Sequence, residues 1–214
     1  MELNGQAEPG PAAVWNARAN PPDNEVPAAL PWAALLGRGE DTAVALTGAA
    51  VYSTGLRLDI AARARRRPGR GRVILFDAFG GRGAAQVLLG VEYADGRTTT
   101  NASPTWPPAP GGDDAPWLQQ GGGSGGDRSV DMSFFLSPLP PPGPLTLVCA
   151  WPDEGIDETQ VVFDAREIEA ALRDVVELWP PEDDAPEEPE PPEPPDVPGG
   201  GWFARALGTE RDVP

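Results

Sequence analysis

Apolar side chains recur at every second position through several stretches of this chain. That spacing turns one face of a β-strand to a core and the other to water. In LRLDIAARAR, 56–65, Leu56, Leu58, Ile60 and Ala62 share one face and Arg57, Asp59 and Arg63 the other, the pattern of a half-buried antiparallel strand. TAVALTGAAVY, 42–52, sets Val44, Leu46, Ala50 and Tyr52 on one face, and Ser53-Thr54-Gly55 reads as the hairpin turn between the two strands. VPAALPWAALL, 26–36, holds a short strand near its end. Val87, Leu89, Val91 and Tyr93 alternate before Asp95-Gly96, a pair that favours a tight hairpin because both central turn positions accept positive φ. Val130, Met132, Phe134 and Leu136 alternate in SVDMSFFL, 129–136. Leu145, Leu147, Cys149 and Trp151 alternate in LTLVCAW, 145–151, and TQVVFD, 159–164, follows a short acidic turn.

The period then changes. DAREIEAALRDVVELW predicts a helix over 164–179, with Ile168, Ala171, Leu172, Val175, Val176 and Trp179 on one stripe. Asp164 and Glu167 are spaced as a capping box, and Pro180-Pro181 ends the helix. The run PLPPPGP, 138–144, could be a PxxP ligand. It lies between two strand patterns, however, and reads instead as a rigid crossover in which fixed φ costs no ladder hydrogen bond. Residues 102–127 read as one long Pro/Gly loop. About seven or eight short strands with turn signals between them predict a mainly β fold: an antiparallel β-sandwich with one C-terminal helix. A flexible N-terminal segment is expected over 1–25, the sandwich with its helix over 26–180, and a disordered acidic Pro-rich tail over 181–214. In that tail, PEDDAPEEPEPPEPPDVP, 181–198, holds eight acids and no base, and it has too few apolar groups to offset the entropy of ordering.

Composition removes more functions than it adds. The 214 residues carry 33 acids against 16 bases, a net charge of −17, which disfavours non-specific nucleic-acid binding by the chain as a whole. Every base is Arg, which reads as the codon bias of a GC-rich genome. There is no His, so the commonest general base, the usual nucleophile activation and imidazole ligation of metals are all missing. One cysteine, Cys149, allows neither an internal disulfide nor a cysteine-cluster metal site. MELNGQAEPG has neither the basic start nor the apolar core of a signal peptide, and no apolar run approaches membrane-spanning length, so a soluble cytoplasmic protein is expected.

TAVALTGAAVYSTGLRLDIAARAR, LLGVEYADGR and GGGSGGDRSVDMSFFLSPLPPPGPLTLVCAWPDEGIDET resemble a set of β-rich proteins from high-GC actinobacteria that have no assigned activity. The resemblance spans about residues 26–180. It implies a domain with those limits and supplies no site.

Few residues are candidates for chemistry. RARRRPGRGR, 63–72, offers Arg65, Arg66, Arg67 and Arg70 as an anion contact, against a reading of charges that guard a strand end from edge pairing. No aromatic is interleaved for base stacking. Asp153, Glu154, Asp157 and Glu158 could supply oxygen ligands, but their order matches no EF-hand loop, and a solvated acidic turn is the simpler reading. GRGRVILFDAFGGRG, 69–83, and GGGSGG, 121–126, lack the GK of a phosphate-binding loop and read as loops. Asn101-Ala102-Ser103 is a glycosylation sequon without a secretory signal. Trp106 and Trp117 read as anchors of the long loop, ahead of a ligand platform. In the tail, WFARAL, 202–207, places Trp202, Phe203 and Leu207 as aromatic and apolar anchors behind an acidic tether, the pattern of a short segment that folds on a partner.

No catalytic residue, cofactor or metal is assigned. The first function expected is a non-enzymatic protein-interaction module with a protein partner. A hydrolase or glycan-active enzyme working through carboxylates alone is the alternative, and nucleic-acid association through the arginine loop a third.

Overall fold

A computed structural model describes residues 18–65, 77–80, 86–102 and 114–180. The described chain is mainly β, and all its sheets are antiparallel. Its strands are β1 (Glu25–Val26), β2 (Ala28–Leu30), β3 (Ala34–Arg38), β4 (Thr42–Tyr52), β5 (Gly55–Ala64), β6 (Leu88–Glu92), β7 (Thr98–Thr100), β8 (Trp117–Gly125), β9 (Ser129–Ser137), β10 (Pro144–Trp151), β11 (Ile156–Asp164) and β12 (Val176–Glu177). One sheet runs β2-β4-β5-β9-β8, with β3 also paired to β4. A second runs β11-β10-β6-β7, and β1 with β12 forms a separate two-stranded ribbon.

The two larger sheets enclose one core, as in a sandwich. Val44, Leu46, Leu58, Ile60, Phe134 and Leu136 of the first pack in one cluster with Leu89, Val91, Leu145, Leu147, Cys149 and Trp151 of the second. These are the residues at which period-two alternation points inward on β5, β6, β9 and β10. The proline crossover is placed as expected, between β9 and β10. Tyr93 ties it to the other sheet, because its phenol is buried and donates to Pro138 O at 2.6 Å. Burial pushes the phenol's pKa well above its ordinary value.

The structure departs from the expected pattern in several places. On β4 the register to β5 slips between Leu46 and Gly48, a bulge that consumes one residue and reverses the faces. Val44 and Leu46 therefore share the sandwich core with Ala49 and Val51, while Ala50 and Tyr52 face the other side with Phe135. The β4–β5 turn is Ser53-Thr54 alone, since Gly55 already pairs with Tyr52. The hairpin at Asp95-Gly96 forms with a different turn. Gly96 N donates to Tyr93 O and Tyr93 N to Arg97 O, and of the two central candidates only Gly96 has positive φ, at 84°. This is the three-residue loop in which a type I turn is followed by a left-handed glycine.

The stretch 102–127 is not a single loop. From Trp117 to Gly125 it pairs with β9, and Gly121, Gly123 and Gly125 lie so close to Ser133, Met132 and Val130 that an added Cβ would come within 2.7 Å of each. Glycine is what lets this strand lie down, so strand propensity could not reveal it. Within 69–83, Asp77–Gly80 forms a helical turn (α1) whose Phe79 is buried with its ring 5.9 Å from Phe134.

The C-terminal helix is much shorter than its stripe. It covers Arg166–Ala171 (α2), continues as a 3-10 turn over Leu172–Asp174, and ends where Val175 turns extended. Val176 then pairs with Val26 in the ribbon. The capping box does not form either. Asp164 accepts from the backbone N and Nε of Arg166, and Glu167 accepts from Trp32 Nε1 at 2.7 Å. Trp32 also stacks on Phe163 at 4.8 Å, so one tryptophan holds helix and sheet together.

The N-terminal limit also shifts. Ala19 is buried, Arg18 O accepts from the Ser137 hydroxyl, and Glu25 accepts from Ser53 N. Residues 18–25 therefore belong to the packed structure rather than to a flexible segment. Residues 1–17 lie outside the described residues, as does the acidic tail, 181–214.

Candidate functional site

The sequence candidates do not converge. Arg65 is exposed and its backbone N donates to Asp41 O, while Arg66, Arg67 and Arg70 lie outside the described residues. Arg63, at the start of the same run, is engaged locally: its guanidinium meets Asp131 at 2.6 Å and donates to the carbonyls of Ala62 and Val130. Because β5 is paired on both sides, by β4 and β9, Arg63 guards no edge; it is engaged within the sheet rather than offered to an anion.

Other arginines likewise meet nearby carboxylates, Arg57 with Asp59, Arg97 with Asp95 and Arg166 with Asp164. The Arg97 backbone N–H, before its side chain, holds the Asp95 carboxyl below its ordinary pKa. The Arg166 side chain does the same for Asp164. A general acid needs the opposite shift. Asp153 and Glu154 sit in a 3-10 turn that Gly155 closes at φ 69°, and Asp157 and Glu158 are adjacent on β11, where neighbours point to opposite faces. Among the described residues, no three His, Cys, Asp or Glu side chains come together to hold a metal ion.

A void of about 10 Å³ lies between the sheets, lined by side chains such as Leu58, Ile60, Leu89, Phe134 and Leu147. It has room for about one water and offers no polar side chain to hold one, so it is packing space in the core.

Cys149 is buried on β10 and desolvation pushes its thiol up to about 12. A thiol held neutral is a poor nucleophile. We therefore expect the native protein at about pH 8 to leave a disulfide reagent unreacted and to titrate one thiol per chain once unfolded in guanidinium. Rapid labelling of the native protein would contradict this burial.

The remaining candidates have structural partners. Asn101 accepts from Leu89 N and donates to Val87 O, completing the edge beside β6. Trp117 opens β8 rather than lying in a loop, and it packs under Arg18, whose guanidinium carbon is 5.7 Å from the ring centroid. Trp106 and the tail anchors Trp202, Phe203 and Leu207 lie outside the described residues.

One surface feature was missed by the sequence reading. Val26, Val176, Leu178 and Trp179 are 47%, 53%, 47% and 55% exposed on and beside the β1–β12 ribbon. Val26 and Val176 are directly opposed, Leu178 N donates to Asn24 O, and Asn24 Nδ2 donates to Trp179 O. The helical stripe places Val176 and Trp179 on its apolar face, whereas the structure exposes both. The signal against that reading was local: Val175-Val176, two β-branched residues in succession, shortly before two prolines.

No family model matches the chain, and neither a curated protein nor a solved structure matches it. Among the described residues no helix is long and apolar enough to cross a membrane.

Proposed function

We propose that this chain is a cytoplasmic, non-enzymatic protein-interaction module. The observation that carries this reading is the apolar set Val26, Val176, Leu178 and Trp179, held at about half exposure by backbone pairing and Asn24. Large apolar side chains exposed on one short ribbon mark an interaction site, and tryptophan is enriched among the anchors of such sites. The carboxylates give no matching support to the hydrolase alternative, since the two with shifted pKa values are shifted downward by adjacent arginines. By its sequence, WFARAL in the tail supplies a second docking element, with Trp202, Phe203 and Leu207 as its anchors.

The test is affinity capture from native cell lysate with the full chain, the Val176→Ser/Trp179→Ser variant and the Trp202→Ala/Phe203→Ala variant. The ribbon substitutions are at exposed positions and should leave the melting temperature within a few degrees, since such changes alter stability by about 0.5 kcal/mol. Proteins retained by the full chain should be lost from at least one variant. Equal capture by all three, or none above a bead control, ends this reading.

A further inference from the structure

Among the described residues, β8 is the long sheet edge with neither a charge nor a proline. β2 and β7 have three residues each, and β2 lies between Pro27 and Pro31. β11 carries Asp157, Glu158 and Asp164, and its Thr159 hydroxyl bonds to Leu36 O of β3. β8 has nine residues, WLQQGGGSG, without a charge or a proline, and it ends its sheet. Natural edges are blunted by shortness, charge, proline, a bulge or a covering element; β8 has the bulge between Gln120 and Gly123, and an edge without charge or proline is a template for another strand.

The direction of its free backbone groups follows from the ladder. Gly126 N donates to Ser129 O at the hairpin, so alternation turns Ser124 toward β9 and Gly123 and Gly125 outward. On the other side of the bulge between Gln120 and Gly123, the same alternation along β9 turns Leu118 and Gln120 outward, where Gln120 O accepts from Gln119 Nε2 at 3.0 Å, a side-chain bond that an incoming strand would replace. The bulge shifts the outward positions from even to odd numbers. As a result, a strand antiparallel to β8 and identical to it can set Leu118 against Gly125 and Gln120 against Gly123, outward group facing outward group at each pair.

We propose that β8 pairs with β8 of a second copy of this chain about a two-fold axis through Gly121-Gly122. Charge favours this occupant over an unrelated strand. Asp114 and Arg18 lie at one end of β8, where Arg18 donates to Ala115 O at 2.5 Å, and Asp127 and Arg128 lie at the other. The two-fold axis brings opposite ends together. Asp114 then stands beside Arg128 of the second copy, twice over, as an isologous interface requires. The edge is locally neutral although the chain carries −17. The acid excess opposes association at long range, so salt strengthens the pairing by screening it. A nine-residue edge makes a small interface, so the dimer forms reversibly with concentration. This inference goes beyond the docking reading and stands or falls without it.

Sedimentation equilibrium of the full chain tests it, from about 5 to about 500 µM, a range suited to a small interface, in about 0.05 M and 0.5 M salt. The weight-average mass should rise from 22.5 kDa toward twice that value, and rise further at the higher salt. Gly122→Lys should weaken association at least about tenfold, because it sets two ammonium groups beside the axis. An added Cβ there meets nothing within 4 Å, so the monomer keeps its fold. Gln160→Lys makes the same charge change at an exposed position of β11 and should still dimerise. Amide exchange at Gly123 and Gly125 should slow as concentration rises. A wild-type mass that stays at 22.5 kDa throughout, a Gly122→Lys variant that associates like wild type, or a Gln160→Lys variant that does not associate overturns the proposal.

Discussion

Phe134→Ala should cost about 3–5 kcal/mol, the range for a large aromatic removed from a core. Phe134 is 1% exposed on β9, between β5 and β8. It pairs in register with Leu58 and with Gln120, and its ring meets Phe79 at 5.9 Å. It also lines the void of about 10 Å³, so the cavity left by truncation would join space that is already empty. Collapse is hard there, because Phe134 is paired on both sides, to Leu58 of β5 and to Gln120 of β8. For a domain of this size each kcal/mol moves the melting temperature by about 2–4 °C, so a fall of roughly 6–20 °C is expected in a thermal scan. Phe135→Ala is the internal comparison. Phe135 faces the opposite side of the same strand, in a small cluster with Ala50 and Tyr52, and should cost clearly less. Equal losses for the two variants would contradict a core placed between the two sheets.

That core is also what the sequence displayed best. On β5, β9 and β10 every inward residue is the one that alternation selects, because a strand buried on one face must repeat with the period of its backbone. The misreadings share one physical origin. They lie where a neighbouring strand, and not the local sequence, decides the conformation. Nothing in Leu46-Thr47-Gly48 announces that β5 will take up one residue fewer than β4 supplies, yet that slip sends Tyr52 to the opposite face. GGGSGG has low strand propensity, yet β9 comes so close to Gly121, Gly123 and Gly125 that an added Cβ would meet it within 2.7 Å. The helix stripe of 164–179 is amphipathic in sequence, but Val26 captures Val176 first. The ribbon patch was illegible for the same reason, since its members come from positions 26 and 176–179, which the ladder alone brings together.

Gly55→Ala separates the local reading from the structural one by the sign of its effect. Were Gly55 a turn residue, alanine would be neutral or stabilising, because it reduces the entropy of the unfolded chain by about 0.4–1 kcal/mol at a compatible site. In the structure Gly55 opens β5, paired to Tyr52 and beside the end of β9. Its φ is not positive, so the backbone itself would accept alanine. The obstacle is space. An added Cβ would lie 2.5 Å from Leu136 O and 2.7 Å from the Phe135 ring. The carbonyl belongs to the β9 backbone and the ring is buried, so neither can yield without disturbing the sheet. Overpacking of this kind costs about 1–3 kcal/mol, which outweighs the entropic gain. Gly122→Ala is the matched control, since nothing lies within 4 Å of its added Cβ. It should be neutral or slightly stabilising. Urea unfolding of the two variants at equal protein concentration decides the matter. Destabilisation confined to Gly55→Ala supports the close approach of β9, whereas a neutral Gly55→Ala would return that glycine to the turn and place the start of β5 one residue later.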